Sequence, residues 1–431
     1  MRITDFFKAK DIMDKIITRA KSTEKDVVDK LIDRLQCSDE DKRENALDVL
    51  SSMDLTVAEG IKVLEAAKKS YPKSKFDWKD ISTDLIDICA NRPYSEYVLK
   101  IDDIYDRLNA KAKNSALNFL AKYESEQAII TYLKLLEKDY EKMDRLPSGS
   151  LNKKPRNGDI LFPGLLKFVD NKNITVDIYM ILLTYFSNGV VRAEQIENSK
   201  AMIVKDIVEM SQRIMSFELQ DSRSFWNNGE YLDLRYEAGV YFDLAGYINS
   251  PEVILALRNI MQVKDMRLKM FAAVSLIRLG KTISPEDALE IAADSEVRNW
   301  FYINLEKLEK EDIFPEQYRT QHAFAESNMV DWLIYPTELG RVPDYIELMN
   351  VFDNEEEEYY LFRFKCNNDE DGWLAGVSGP YEKDEIPTTS AGGYTFSHFE
   401  KWESKTPEEH LNAIVENISE YWMKRAEELE A

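Results

Sequence analysis

Residues 264–280 read KDMRLKMFAAVSLIRLG, and the register of this stretch sets the fold class of the chain around it. Arg267 is followed by Met270, Phe271 and Val274 at +3, +4 and +7, which places three apolar side chains on one helix face. The same offsets recur outward in both directions. Arg298 leads to Phe301, Tyr302 and Leu305, and Arg235 to Ala238, Gly239 and Phe242; Arg43 leads to Ala46, Leu47 and Leu50, and Lys113 to Ala116, Leu117 and Leu120. The anchors Arg235, Arg267 and Arg298 lie 32 and 31 residues apart, and Arg43 to Lys113 is 70, or two units of 35. Two short helices and two turns fill such a unit. One hairpin cannot bury its own apolar faces, so neighbours must stack to close a core.

Lys264-Asp265-Met266-Arg267 with Ala272-Ala273 and Leu276 to Gly280 resembles the second helix of a HEAT-type repeat. In that family an Asp and an Arg near the helix start precede small and leucine positions and a closing glycine. Ser38 to Arg43 with Ala46, Leu47 and Leu50 is a looser match, and Ser295 to Arg298 a third that lacks the alanines. The resemblance implies an α-solenoid over about two thirds of the chain and leaves function open, since such arrays serve many partners.

Helical periodicity runs from Phe6 to about Leu308. Ser250-Pro251-Glu252 and Ser284-Pro285-Glu286 each set a capping hydroxyl before a proline at the first helical position. The polar stretch Asp144 to Gly158, with Arg145, Lys153, Lys154 and Arg156, reads as an exposed loop between two sub-arrays. In Gln220 to Gly229, Phe225 and Trp226 are expected to tuck against neighbouring helices. After residue 330 the pattern changes. Ile346 to Phe352, Tyr359 to Lys365 and Trp373 to Ser378 read as an antiparallel meander of three strands, with Tyr360, Phe362 and Phe364 on one face. A helix from Pro407 to about Leu429 follows, opened by a Thr406/Glu409 capping box. The expected organisation is helical repeats over 1–145, a second helical array over 159–330 and an acidic α+β module over 331–431. The broad pattern of that module resembles the C-terminal part of some bacterial HEAT-like proteins.

Net charge is −23, and residues 331–431 hold 24 Asp and Glu against 8 Lys and Arg. A nucleic-acid binder needs a cationic surface to release phosphate counterions, so a basic protein is the expected partner and nucleic acid is not. Cys37, Cys89 and Cys366 show no CxxC spacing, which points to a reducing compartment without disulfides or a zinc ribbon. No secretory leader is read at Met1 to Asp11. Ile178 to Phe186 is too short to cross a bilayer, so a cytoplasmic protein away from the membrane is expected.

Chemistry is hard to find. The three histidines, His322, His398 and His410, share no metal-ligand spacing, and His410 is expected to be solvated. Gly376 to Pro380 lacks the second spacer of a nucleophile elbow. Cys366 and His398 form a dyad only on paper, and Asp353-Asn354-Glu355 lacks the glycine of a calcium loop. No catalytic residue, metal or cofactor is therefore expected. Protein contacts are expected at the acidic module, through Trp373, Tyr381, Tyr394, Glu355, Glu356 and Glu357, where rings and carboxylates combine as in protein hot spots. The expected function is non-catalytic binding of a basic protein, in the manner of an immunity protein or antitoxin, or of a plain scaffold. The rival is a nucleic-acid-processing enzyme of the HEAT-like DNA glycosylase type, which requires Lys and Arg from several repeats to converge in one groove.

Overall fold

The computed structural model describes residues 24–123, 125–219, 221, 224–354, 357–366, 372–383 and 395–430. Contacts divide the chain into two compact units, Met1–Ser199 and Lys200–Ala431.

The described part of the first unit comprises α1 (Glu24–Arg34), α2 (Glu40–Ser52), α3 (Val57–Ala66), α4 (Ile81–Ala90), α5 (Ser95–Ile104), α6 (Ala110–Tyr123), α7 (Glu126–Asp139), α8 (Gly158–Gly164) and α9 (Lys172–Ser187). α1 packs on α2, α3 on α4 and α6 on α7, and each helix from α1 to α5 also packs on the next but one. This makes one layer of α1, α3, α5 and α7 and a second of α2, α4 and α6. Leu64, Leu85, Ile101, Leu117 and Leu135, all fully buried, belong to the core between them. Polar contacts repeat at the same interval as the helices. Lys134 pairs with Asp102 and Lys138 with Asp106, both at 2.8 Å and 32 residues apart, while the Asn171 amide donates to the Tyr140 carbonyl 31 residues back.

The second unit opens with α10 (Glu197–Met215), followed by α11 (Gly229–Ala245), α12 (Pro251–Ile260), α13 (Met266–Arg278), α14 (Pro285–Ala293), α15 (Arg298–Lys307) and α16 (Gln321–Leu333). Here α11, α13 and α15 pack in succession, with α12 and α14 between them in sequence. Ser250 and Ser284 cap α12 and α14 ahead of their prolines, as the residue types require. The loop before α11 behaves as expected: Phe225 is buried, with its ring centre 4.2 Å from the Arg235 guanidinium.

Four strands follow, one more than the sequence suggested: β1 (Tyr345–Asn354), β2 (Glu357–Lys365), β3 (Leu374–Glu382) and β4 (Thr395–Lys401), antiparallel in sequential order. β4 completes the sheet by pairing with β3, Val377 lying opposite Phe396. The final helix, α17 (Pro407–Glu430), starts at the expected box: the Thr406 amide donates to Glu409, and the Glu409 amide to the Thr406 hydroxyl. Both faces of the sheet are covered. Tyr360, Phe362 and Phe364 meet Ala325, Met329 and Leu333 of α16, and on the other face Leu361 and Val377 meet Ile414 of α17. One of the two clusters covering the sheet thus draws on a helix that begins before residue 331, so 331–431 shares a compact unit with residues before it.

The stretch 144–158 also differs from its expected role. Leu146 and Leu151 are buried, the Leu146 amide donates to Asp177 and the Gly149 amide to Asn118. It packs onto α6 and α9 inside the first unit, with Arg145, Lys153, Lys154 and Arg156 exposed. Among the described residues no helix is long and apolar enough to cross a membrane.

Candidate functional site

The charge asymmetry divides the compact units, and 16 of the 22 excess carboxylates of the second unit lie in residues 331–431. Residues 1–199 carry 33 Lys and Arg against 34 Asp and Glu, whereas 200–431 carry 23 against 45. The first unit is nearly neutral and the second strongly acidic, so each is read by itself.

In the second unit, the anchors that aligned the sequence have diverged in role. Arg235 is buried and chelated: its Nε lies 2.7 Å from Asp265 Oδ2, and its Nη2 lies 3.1 Å from Asp265 Oδ1 and 2.7 Å from Glu296 Oε1. Tyr231 donates its hydroxyl to the same Asp265, whose other oxygen caps α13 at the amides of Arg267 and Leu268. Burial disfavours the guanidinium charge, but the two carboxylates outweigh it and hold Arg235 above its ordinary value. Arg298 is likewise buried, against the Ala292 and Ala323 carbonyls and Glu326. Arg267 is exposed instead, and the buried cation of α13 is Lys269, paired with Glu290.

Exposed Arg267 belongs to a second series. Tyr236 on α11, Arg267 on α13, Trp300 on α15 and Asp331 on α16 are 31, 33 and 31 residues apart. Tyr236 is exposed and Trp300 is 50% exposed, with its indole Nε1 donating to Asp331 Oδ1 at 3.4 Å. Tyr335, one turn beyond Asp331, is exposed as well. Burial pushes the Asp331 carboxyl up to about 6, and the Trp300 hydrogen bond and the Arg267 charge only partly oppose it. Large exposed rings held on helices, two steps of the series apart with an exposed Arg between them, have the composition of an interaction surface.

The residues predicted from the acidic module fall differently. Tyr381 is 3% exposed, its hydroxyl bonded to Asn328 and Ser378, so it is a core ring with no face for a partner. Trp373 is half-buried beneath the Arg363 guanidinium, 4.4 Å from the ring centre. Glu357 is half-buried in β2; Glu355, Glu356 and Tyr394 lie outside the described residues. Ser378 is fully buried within β3, which removes any resemblance to a nucleophile elbow. Cys366 is buried, and the His398 side chain lies outside the described residues. His410, expected in solvent, is fully buried: its ring stacks on Trp402 and its Nε2 sits 2.8 Å from the Trp402 carbonyl. It occupies the buried side of α17, where an imidazole with a fixed partner replaces an apolar residue.

The first unit holds a surface that the sequence reading passed over. A groove of about 580 Å³ lies among α2, the α3–α4 connection, α4 and the α5–α6 connection. Its cations are Arg43, Lys68, Lys69, Lys73, Lys79, Arg107 and Lys111; its carboxylates are Glu40, Glu44, Asp77, Asp80 and Asp84. Beside it Phe76 is 51% and Trp78 73% exposed, their ring centres 5.7 Å apart, with the Lys79 ammonium 5.4 and 5.3 Å from them. The connection is tied down at several points. Glu40 accepts from the Ser74 hydroxyl and the Lys75 amide, Glu44 pairs with Lys79, and Lys111 donates to the Asp77 carbonyl. Burial, then the charges of Asp87 and Asp80, push the Asp84 carboxyl up to about 6. The signal was present in KKSYPKSKFDWK, residues 68–79, where five lysines interleave with three aromatics. The net charge of the whole chain hid it.

Comparison with protein families, curated proteins and solved structures gave no match.

Proposed function

We propose that this chain is a non-catalytic, HEAT-type helical-repeat protein that binds a basic protein partner across its second unit. The observation that supports this most is the series Tyr236, Arg267, Trp300 and Asp331, one exposed or half-exposed side chain per repeat, with Tyr335 at its end. Two-layer packing of hairpins and polar contacts recurring every 28 to 35 residues favour the solenoid reading of each array. The excess of carboxylates in 200–431 steers a cationic partner toward the rings, which then supply the packed contact. An immunity or antitoxin-type inhibitor and a plain scaffold are two forms of this reading, and they part on whether the complex silences the partner.

The nucleic-acid enzyme reading gains one observation, the convergence of Lys and Arg from several helices in the first-unit groove. Five carboxylates share that groove, and they work against a ligand that carries a charge at every nucleotide.

The test is affinity capture from the source organism at low and high salt, comparing the wild-type chain with a Tyr236→Ala, Trp300→Ala variant. Salt-sensitive retention of one basic protein, lost in the variant, is the expected result. Equal retention by both chains sinks the proposed surface, and retention of nucleic acid alone sinks the class.

A further inference from the structure

The groove in the first unit lies outside the proposed basic-partner surface and asks for a ligand of opposite chemistry. Lys69 and Lys73 are exposed and make no ion pair among the described residues. Loss of solvent, then the charges of Arg107 and Lys100, hold the Lys68 ammonium below its ordinary value, and Lys68 pairs with Glu65. The carboxylates in the groove are largely committed within it. Glu40 and Glu44 hold the connection in place, and Asp80 caps α4 at the Thr83 amide and accepts from Asn109. The outward-facing groups therefore include the Lys69 and Lys73 ammonium groups and the exposed Asp77 carboxylate, on an anchored loop that also exposes Phe76 and Trp78.

We infer that this groove docks an acidic polypeptide segment in which carboxylates flank a large apolar side chain. The apolar side chain would lie against Phe76 and Trp78, and the carboxylates would reach Lys69 and Lys73. Charge complementarity selects an anion, and the exposed rings select one with apolar surface. The fixed carboxylates of the groove select a polypeptide, whose charges are spaced, over a polynucleotide, whose charge is unbroken. The volume of about 580 Å³ falls in the range of pockets that enclose a few side chains.

The experiment is fluorescence anisotropy on the full chain with three labelled probes: a short peptide of Glu and Leu, the same peptide with Gln for Glu, and an oligothymidylate. Two variants, Lys69→Gln with Lys73→Gln and Trp78→Ala, change exposed side chains, and circular dichroism confirms that both remain folded. The proposal expects the Glu/Leu peptide to bind best, with affinity falling about tenfold in each variant and with added salt. It is overturned if the Gln peptide binds equally, if neither variant weakens binding, or if the oligothymidylate binds most tightly and competes at the same residues. Tyr236 and Trp300 are untouched by these variants, so failure here leaves the second-unit reading standing, and the reverse also holds.

Discussion

A guanidinium buried between two carboxylates keeps its advantage only while all three groups remain, since each has given up water for the others. Arg235 is in this position, with Asp265 and Glu296 both buried and Asp265 also capping α13. Arg235→Met takes the buried cation away from two buried carboxylates, and urea unfolding of the folded chain should show a loss of about 3–5 kcal/mol. Asp331 carries the opposite logic. Its carboxyl moves from 3.8 in the free chain to about 6 when folded, so the folded state binds the proton more tightly. Stability from this group is complete below the free value and is lost as pH rises through the folded one. Asp331→Asn, which keeps an acceptor for the Trp300 indole, should therefore be more stable than wild type at about pH 7.5, with the difference shrinking toward about pH 4. Parallel urea melts across that range check the slope, and a constant difference would show that ionisation is not its source. The spacing of Arg235 was visible in the sequence. Its burial was not, because an Arg on a helix reads the same whether it faces water or two acids 30 and 61 residues away.

At the scale of elements, the close approach of α3 and α5 depends on a missing side chain. A Cβ built on Gly60 would fall 1.7 Å from the Tyr97 hydroxyl oxygen, and Tyr97 is buried. Gly60→Ala should destabilise by about 1–3 kcal/mol in thermal and urea unfolding, although alanine is the better helix former. Unchanged or raised stability would mean that Tyr97 swings aside at little cost. Helices were the most legible elements, since capping hydroxyls before Pro251 and Pro285 and the Thr406 box mark their starts through local chemistry alone. The strand Thr395–Lys401 was missed because it follows a glycine-rich stretch and takes its identity from pairing with β3. The boundary near residue 331 looked sharp because hydrophobic periodicity changes there. The sheet nevertheless rests on α16, a partnership that periodicity does not encode.

For the whole molecule, charge and aromatic placement carry the functional argument. Summed over 431 residues the chain is acidic, and the concentration of that charge in residues 331–431 directed attention to the C-terminal module. Divided by compact unit, a near-neutral first unit holds a lysine-rich aromatic groove and an acidic second unit holds a series of rings. Of the six contact residues proposed from sequence, Tyr381 became core because a small sheet between two helices needs its large rings inside. Tyr236 and Trp300 escaped notice since an exposed ring on a helix has no local signature; only a spacing of 31 to 33 residues, followed across four helices, aligns them. The most direct test of the central claim is site-specific photo-cross-linking with a benzophenone side chain at position 300, performed on the full chain in an extract of its source organism. The account predicts one cross-linked basic protein, lost when Tyr236 is also replaced by Ala and reduced by salt. A probe at position 300 that reacts with no protein, while one placed on another face captures a specific partner, would contradict it.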